Sequence, residues 1–343
     1  MKKVLLLLLV FAVLPLMQLS AQNRPLILYT WEEMFPQEII DGFRRDTGIE
    51  VVYKTFEFNE DMLTELEITE GGNYDLVIAD DYIIEFVVAE GLARKLDKSR
   101  MSNFSNINPT FQYQFYDPTN EYTVPYGAGI QTIVYDPAKV NLNIKGFSDL
   151  WNNALRGRLG ITANYRVITG NVLKSMGKSY NTEDINDINA AGAKLNALIP
   201  NIRLFQDIDL DRAMAAGEIS VGVMYTGEVT RLKTSYPQYK VVYPEEGIGF
   251  GIQAAFIPSR APNPNAAYAF LNYIMDPKRG AQCFEYSGYY CTYSASEPFI
   301  SPRYKDLLIL PNLKDFEMIE NIGQEAENAH TRVWRAFRAA LQR

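Results

Sequence analysis

The first third of the chain alternates short apolar runs with longer amphipathic runs. Residues 26–29, 50–54 and 74–79 are dominated by apolar and β-branched side chains, a pattern typical of buried strands. Between them, apolar residues recur three or four positions apart, which predicts helices, and Asn59 is expected to cap the second of them. The first helix is expected to have Pro36 in its first turn and Gly48 just past its end. This order of strands and helices predicts a mostly parallel sheet with helices on both faces.

Two long extended segments, 122–135 and 241–258, interrupt this alternation and contain several glycines. A second block of strands and helices lies between them, and Ser148 is expected to cap a helix that carries Trp151. A mature chain of about 320 residues is longer than a single hydrophobic core usually accommodates, so two lobes are expected. The predicted fold class is α/β, with a mostly parallel central sheet in each lobe and extended strands that cross between the lobes.

The same pattern sets the expected domain boundaries. We expect a signal peptide at 1–21, a first lobe that begins at 22–131, a second lobe at 132–252, a return to the first lobe at 253–300, and C-terminal helices of the second lobe at 301–343.

The N-terminus has the three parts of an export signal. Lys2 and Lys3 are followed by 14 apolar residues from Val4 to Met17, a run too short to span a bilayer comfortably. Leu19-Ser20-Ala21 is an acceptable cleavage site, so the mature chain is expected to begin near Gln22 and to be exported. The segment contains no cysteine for lipid attachment. An uncleaved membrane anchor remains the alternative.

Charge and motif content exclude several function classes. Removal of Lys2 and Lys3 leaves 31 basic against 41 acidic residues, a net charge of about −10, which disfavours nucleic acid and is compatible with a cationic ligand. The chain has one histidine and no nucleophile-elbow, phosphate-loop or zinc-protease motif, so neither an enzyme nor a cofactor is expected.

The two cysteines leave two possibilities open. Cys283 and Cys291 are eight positions apart, so they either close a short disulfide loop in an exported protein or remain two buried thiols. The chain has no Cys-x-x-Cys pair and a single histidine, so no metal site is expected.

Aromatic and acidic residues follow two of the predicted strands. Trp31-Glu32-Glu33 comes directly after the first strand, and Asp80-Asp81-Tyr82 after the third. Carboxyl ends of parallel strands meet at one edge of a sheet, where ligands bind. A ring face and carboxylates together suit an organic cation. Glu32 and Glu33 could instead serve the dipole of the following helix, and Asp80 or Asp81 could cap the helix near Tyr82.

At this point the chain resembles the periplasmic spermidine/putrescine-binding proteins of ABC importers. The similarity covers nearly all of the mature chain, and it is carried in order by Leu28-Tyr29-Thr30-Trp31-Glu32-Glu33, Thr47-Gly48-Ile49-Glu50-Val51-Val52-Tyr53, Tyr74-Asp75-Leu76-Val77, Leu96-Asp97-Lys98-Ser99, Pro125-Tyr126 and Tyr243-Pro244-Glu245-Glu246-Gly247. The resemblance implies a two-lobed periplasmic-binding-protein clamshell that captures a polyamine in the cleft between its lobes. It also implies a monomer that delivers the ligand to a membrane permease.

The resemblance also implies binding positions, one at a time. Trp31 matches an aromatic residue at the end of the first strand, and Glu33 an acid that receives an ammonium group. Tyr82 matches a wall aromatic, Gln324 a polar contact near the C-terminus, and Tyr225 stands where the family has a tryptophan.

Other positions depart from the family pattern. Asn164 and Val167 stand where well-known spermidine binders have two acids, and Gln253 replaces an aspartate. Gly251 replaces a large tryptophan, while acids appear at Glu32 and Asp80 instead. Asn164 and Gln253 still offer carbonyl oxygens to N–H donors. The sequence therefore predicts a polyamine-binding scaffold with an altered site.

Three readings of this site follow. The first is polyamine capture for import. The second keeps the scaffold with another ligand class, or with a sensor or docking role and weak binding. The third and minor one is ferric-ion binding, since Tyr289-Tyr290 is similar to the paired tyrosines of iron-binding relatives.

Overall fold

The computed structural model describes residues 24–206, 209–310 and 316–342, which divide into two compact units. In this part of the chain, unit 1 comprises 24–126, Gln253–Tyr286 and Tyr293–Phe299, and unit 2 comprises Gly127–Ile252, Ser287–Thr292 and the residues from Ile300 onward. The first boundary thus falls at 126/127 rather than 131/132, and 287–292 lies in unit 2 rather than in the first lobe. The predicted signal peptide at 1–21 lies outside the described residues.

The strands and helices of the described residues are numbered in chain order. The strands are β1 (Leu26–Thr30), β2 (Val51–Thr55), β3 (Leu76–Asp80), β4 (Thr123–Tyr135), β5 (Leu159–Ile161), β6 (Ile202–Phe205), β7 (Val221–Tyr225), β8 (Lys240–Val242), β9 (Ile248–Phe256), β10 (Tyr290–Cys291) and β11 (Phe316–Met318). The α-helices are α1 (Gln37–Thr47), α2 (Asn59–Thr69), α3 (Asp81–Ala89), α4 (Tyr165–Lys174), α5 (Ile185–Asn196), α6 (Leu210–Ala215), α7 (Thr226–Ser235), α8 (Pro264–Ile274), α9 (Pro277–Ser287), α10 (Lys305–Leu308) and α11 (Gln324–Leu341).

Unit 1 is built on the predicted parallel strands. β2, β1 and β3 lie side by side and run parallel, and the end of β9 then pairs antiparallel with β3. β3 is buried along nearly its whole length, as its apolar sequence predicts. Asp75, fully buried just before β3, accepts hydrogen bonds from the backbone N–H of Ile27 at 2.8 Å and of Asn263 at 2.5 Å. One carboxylate thereby fixes β1 and the start of α8.

The boundaries of α1 agree with the sequence, whereas the start of α2 does not. Pro36 precedes α1, and Gly48 follows it at φ 73°, a left-handed conformation that glycine adopts without strain. The predicted cap of α2, Asn59, is instead the first residue of the helix, after Phe58. No side chain caps this helix end. The Asn59 amide is used elsewhere, as described below.

The sheet of unit 2 is mixed rather than mostly parallel. β5 runs parallel to both β6 and β7, but β4 runs antiparallel to β7 and to β8. β10 pairs antiparallel with β4, and β11 parallel with β9. β4 and β9 run in the opposite direction to the parallel strands beside them. The pairs that they form with β7 and β3 are therefore antiparallel. The two-lobed α/β class is retained.

One local prediction in unit 2 was wrong, and one helix was not predicted. Residues Phe147–Trp151 form a 3-10 turn preceded by Gly146, not an α-helix capped by Ser148. Helix α4 was not predicted from the sequence. It packs Ile168, Val172 and Leu173 into the main core of unit 2. Tertiary packing outweighs the weak local pattern.

None of the helices in the described part of the chain has both the length and the apolar character that crossing a membrane requires.

The single histidine is more deeply buried than its charged neighbours in the sequence suggest. His330 on α11 is fully buried, and neither of its ring nitrogens has a hydrogen-bond partner among the described residues. Burial, together with the nearby charge of Arg166, lowers the pKa of His330 to about 4. The folded chain therefore holds this imidazole neutral, while the unfolded chain protonates it near its ordinary pKa of about 6.5.

This difference predicts acid-sensitive stability. As pH falls from about 6.5 to 4, the unfolded state takes up a proton that the folded state refuses, so the free energy of unfolding should fall by up to about 3 kcal/mol. His330→Leu should remove that component. Urea unfolding of both proteins at pH 7 and pH 4.5 measures it. An equal loss in the two proteins would assign the acid sensitivity to other groups.

Candidate functional site

The carboxyl ends of the parallel strands of unit 1 gather the predicted aromatic and acidic residues. Trp31 follows β1, Phe56 follows β2, and Asp80 ends β3, so all three lie at one edge of the sheet. The Trp31 and Phe56 rings are 4.9 Å apart between centroids. Trp31 is half-buried. Part of its ring is therefore packed and part is available to a ligand.

Two tyrosines hold the turn after Trp31. The Tyr53 hydroxyl donates to the carbonyl oxygen of Trp31 at 2.8 Å and accepts from the N–H of Met34 at 3.2 Å. The buried Tyr126 hydroxyl donates to the Met34 carbonyl oxygen at 2.7 Å. Glu33 lies within this turn at φ 56°, a conformation that costs energy for a residue with a Cβ. The anchored turn keeps this strained backbone in place.

Glu32 and Glu33 are both exposed and precede α1. The acid in the first turn of that helix is Glu38, so the helix-start reading of the pair is not supported. Glu33 is close enough to Tyr286 for its charge to raise the pKa of that hydroxyl, although burial contributes more. Both carboxylates therefore lie at the surface, in the turn that follows Trp31.

The Asp80 carboxylate has a different environment. It accepts from Asn59 Nδ2 at 2.9 Å and is hydrogen-bonded by the side chain of Gln253. Gln253 is its direct register partner on the antiparallel strand β9. Burial raises the pKa of Asp80 to about 6, the two hydrogen bonds oppose this, and the charge of Glu60 adds to it. The residue is still only partly covered.

Asp80 and Asp81, the two candidate caps of α3, have different roles at the start of that helix. Asp80 occupies the position before α3, but its side chain makes no cap hydrogen bond. Asp81 is buried and accepts from the N–H of Tyr82 at 2.8 Å. Asp80 is thus the acid that points toward the polar cluster.

Tyr82 joins the same cluster through its hydroxyl. It accepts from Asn59 Nδ2 at 3.2 Å and donates to Glu60 Oε1 at 3.1 Å. Burial raises the pKa of this phenol, so it acts as a neutral hydrogen-bonding group. Unit 1 therefore brings together six predicted residues at one sheet edge: Trp31, Glu32, Glu33, Asp80, Tyr82 and Gln253.

The predicted residues of unit 2 have more local roles. Asn164 is the N-cap of α4, and its Oδ1 accepts from the N–H of Val167 at 3.1 Å. Gln324 is exposed at the start of α11 and donates to Asn328 at 3.2 Å. Tyr225 ends β7 half-buried, opposite Gln131 on β4. The capping role of Asn164 engages the oxygen that the sequence assigned to a ligand.

Comparison with known proteins identifies the family. The model of the bacterial extracellular solute-binding protein family matches residues 38–311. The chain belongs to this family. The spermidine/putrescine-binding periplasmic protein of Escherichia coli is 32% identical over 87% of this chain and 86% of its own. The spermidine/putrescine-binding periplasmic protein 1 of Haemophilus influenzae is 28% identical over 76% of this chain and 72% of its own.

A solved structure gives the same result for the fold. The spermidine/putrescine ABC transporter substrate-binding protein of Streptococcus pneumoniae superimposes with a TM-score of 0.85 at 27% identity, covering 93% of this chain and 99% of that one. The predicted periplasmic-binding-protein fold is thereby confirmed, as is the resemblance to polyamine-binding relatives.

The sequence missed several polar residues of this solute-binding protein. Asn59 was read as a helix cap, and Glu60 was not singled out. In unit 2, Gln131 Oε1 accepts from Asn171 Nδ2 at 3.1 Å, and Asn171 Oδ1 accepts from the Tyr180 hydroxyl at 2.5 Å. All three of these residues are buried. A polar residue inside an apolar run, such as Gln131 in β4, was the available signal.

The cysteines and the paired tyrosines can also be placed. Cys283 and Cys291, both among the described residues, are buried thiols, and no disulfide joins them. Cys283 lies in α9 and Cys291 in β10, and their short separation in sequence did not produce a bridge. Burial raises the pKa of the Tyr290 hydroxyl, which contacts that of Tyr243 at 3.3 Å. With its pKa raised, the Tyr290 hydroxyl stays protonated in the folded protein at neutral pH.

Proposed function

We propose that this solute-binding protein captures a polyamine outside the cytoplasm and delivers it to the permease of an ABC importer. Its relatives in Escherichia coli and Haemophilus influenzae are named for spermidine and putrescine, and the solved relative for an ABC transporter. We further propose that the mature protein begins near Gln22, acts in the periplasm as a monomer, and has neither a catalytic role nor nucleic acid as a partner.

One observation carries the proposal. Within the described residues, Gln253 Oε1 is buried and has no hydrogen-bond partner, and it belongs to the side chain that bonds the Asp80 carboxylate. A buried acceptor without a donor costs about 1–3 kcal/mol. An alkylammonium group has several N–H donors and a positive charge, so it would satisfy Gln253 Oε1 and neutralise Asp80 together.

The surrounding residues suit the rest of a polyamine. The partly exposed Trp31 ring offers a face to methylene groups and to positive charge, and Tyr82 offers a second aromatic surface. Glu32 and Glu33 are exposed carboxylates next to Trp31 and can attract a second ammonium group. Because exposed charges are screened by salt, this contribution should weaken as ionic strength rises.

The residues of unit 2 are proposed as secondary contacts. Tyr225 is half-buried and supplies an aromatic surface, while Gln324 is exposed and supplies a carbonyl oxygen. Asn164 already caps α4, so we propose that it contributes only through the second lone pair of its oxygen.

The function is tested by calorimetry of the mature protein after unfolding and refolding to remove bound ligand. Putrescine, cadaverine, spermidine and spermine are titrated at two salt concentrations. We expect binding of at least one amine with a Kd below about 10 μM, weakened by salt. Trp31→Ala and Glu33→Gln should each reduce its affinity, whereas Glu50→Gln, an exposed acid remote from the site residues in sequence, should not.

Failure of all four amines to bind would overturn polyamine capture. It would favour the reading in which the scaffold serves as a sensor or docking protein, or binds another solute. Mass spectrometry of the small molecules that co-purify with the protein, when it is purified without unfolding, then identifies that solute. Binding that Trp31→Ala and Glu33→Gln leave unchanged would retain the function and reject the proposed residues.

A further inference from the structure

Helix α2 begins without the side-chain cap that its sequence offers. Asparagine is among the preferred capping residues, and Asn59 stands at the start of the helix. In the structure Asn59 is the first helical residue, and the capping position is held by Phe58, whose side chain makes no cap hydrogen bond. A capping residue replaced by an alanine typically costs a helix about 1 kcal/mol. An available cap that is left unused indicates that the amide of Asn59 serves another purpose.

That purpose is visible in its hydrogen bonds. Asn59 Nδ2 donates to Asp80 Oδ2 at 2.9 Å and to the Tyr82 hydroxyl at 3.2 Å. Its Oδ1 accepts from the backbone N–H of Asp80 at 3.4 Å. Both amide hydrogens and the oxygen are therefore engaged, and Asn59 itself is only 7% exposed. The opposite amide orientation would direct an oxygen at a carboxylate oxygen, so the network selects the orientation observed.

We propose that Asn59 is a positioning residue that keeps the Asp80 carboxylate ionised and directed for an ammonium group, so that amine capture depends on pH through Asp80. This inference rests on the proposed function. Asn59 contacts the acid through both its side chain and its backbone, and it also holds Tyr82. It acts on the ligand only through these two residues.

The electrostatic surroundings of Asp80 support a change in its protonation state within the physiological pH range. α2 contributes Asn59 and the exposed Glu60, α3 contributes Tyr82 and the buried Asp81, and β9 contributes Gln253. Burial and Glu60 favour the protonated acid, while the donors of Asn59 and Gln253 favour the carboxylate, and the balance sets the pKa of Asp80 at about 6.

The direction of the pH effect follows from this balance. A cation binds the carboxylate and not the neutral acid, so amine affinity should be full well above pH 6 and should decline as pH falls through it. Removal of the Asn59 donor destabilises the carboxylate, and the pKa of Asp80 should rise further. The midpoint of the affinity profile should then move toward neutral pH.

The experiment measures putrescine and spermidine affinity by calorimetry between pH 5 and 8.5 for the wild type, Asn59→Leu, Asn59→Asp and Asp80→Asn. Asn59→Leu should raise the midpoint by about one pH unit, and should therefore weaken binding about twofold at pH 7 and about tenfold at pH 5. Asn59→Asp adds a second carboxylate and should raise the midpoint at least as far. Asp80→Asn should remove the transition near pH 6 altogether.

A matched control separates positioning from general destabilisation. Asn103 is a half-buried asparagine of unit 1 whose Nδ2 donates to the carbonyl oxygen of Asn272 at 2.8 Å. Asn103→Leu removes a comparable hydrogen bond and should leave both midpoint and affinity unchanged. Thermal unfolding of each variant verifies that the folded protein is being titrated.

The outcomes distinguish this inference from the proposed function. If the wild type binds neither amine, the proposed function fails and the inference fails with it. If the wild type binds but Asn59→Leu has an unchanged midpoint, the function stands and the positioning role is rejected. A transition near pH 6 that persists in Asp80→Asn assigns the titration to another group, and it likewise overturns the inference.

Discussion

Asp80→Asn should weaken the binding of putrescine and spermidine at pH 8 by roughly 10- to 100-fold, because a charge-assisted hydrogen bond contributes about 1.5–3 kcal/mol. The same change should leave the free energy of unfolding unchanged or higher. The folded state raises the pKa of this carboxyl to about 6, so its ionised form is less favourable in the folded chain than in the unfolded chain above that pH.

Affinity and stability are therefore expected to respond in opposite directions. Calorimetry measures the first and urea unfolding at pH 8 the second. Glu50→Gln is the control, because Glu50 is exposed and precedes β2, at the opposite edge of the parallel strands from Asp80. It should change affinity by less than about threefold, in keeping with a screened surface charge. Equal affinities for Asp80→Asn and wild type would exclude Asp80 as an anchor for the ligand.

Asp117→Ala should produce the largest loss of stability among the substitutions considered. This side chain is 2% exposed and accepts from the backbone N–H groups of Glu121, Tyr122 and Thr123 and from the Thr123 hydroxyl, at 2.9 to 3.0 Å. Alanine would leave these donors without an acceptor at the entry to β4. We expect the free energy of unfolding to fall by about 3–5 kcal/mol.

Urea unfolding at neutral pH measures this loss. Asp97→Ala is the matched control, because Asp97 is an exposed aspartate that accepts from the backbone and hydroxyl of Ser99 in a similar local turn. Water can replace those bonds, so its cost should stay within about 1 kcal/mol. If the two alanine variants lose similar stability, burial of the Asp117 network does not govern this turn.

The wider fold was accessible from the sequence wherever local pattern and tertiary structure agree. Pro36 and Gly48 mark α1 because the ring of proline and the left-handed backbone of glycine impose conformations whatever their surroundings. The buried strand β3 could also be predicted, because its sequence is a continuous apolar run. The relation to polyamine-binding proteins followed from several short motifs in a fixed order, none of them decisive alone.

Elements whose stability comes from distant contacts were not accessible. α4 has no clean apolar periodicity, and it is held by the packing of Ile168, Val172 and Leu173 into the core of unit 2. His330 lies among charged residues in the sequence, yet it is buried on α11, as are Ala326, Ala329 and Val333 of the same helix. The neighbours that bury a helical side chain are set by helix packing, which sequence spacing does not report.

The candidate site shows the same division. By itself the sequence determined that Trp31, Glu32, Glu33, Asp80 and Tyr82 follow parallel strands, and strand direction alone then predicts that they share an edge. Only the tertiary structure decided that Gln253 stands opposite Asp80. It also decided that the Asn59 side chain donates to Asp80 and Tyr82 instead of capping its helix. Strand direction is encoded by local pattern, whereas register and hydrogen-bond partners depend on segments far apart in the chain.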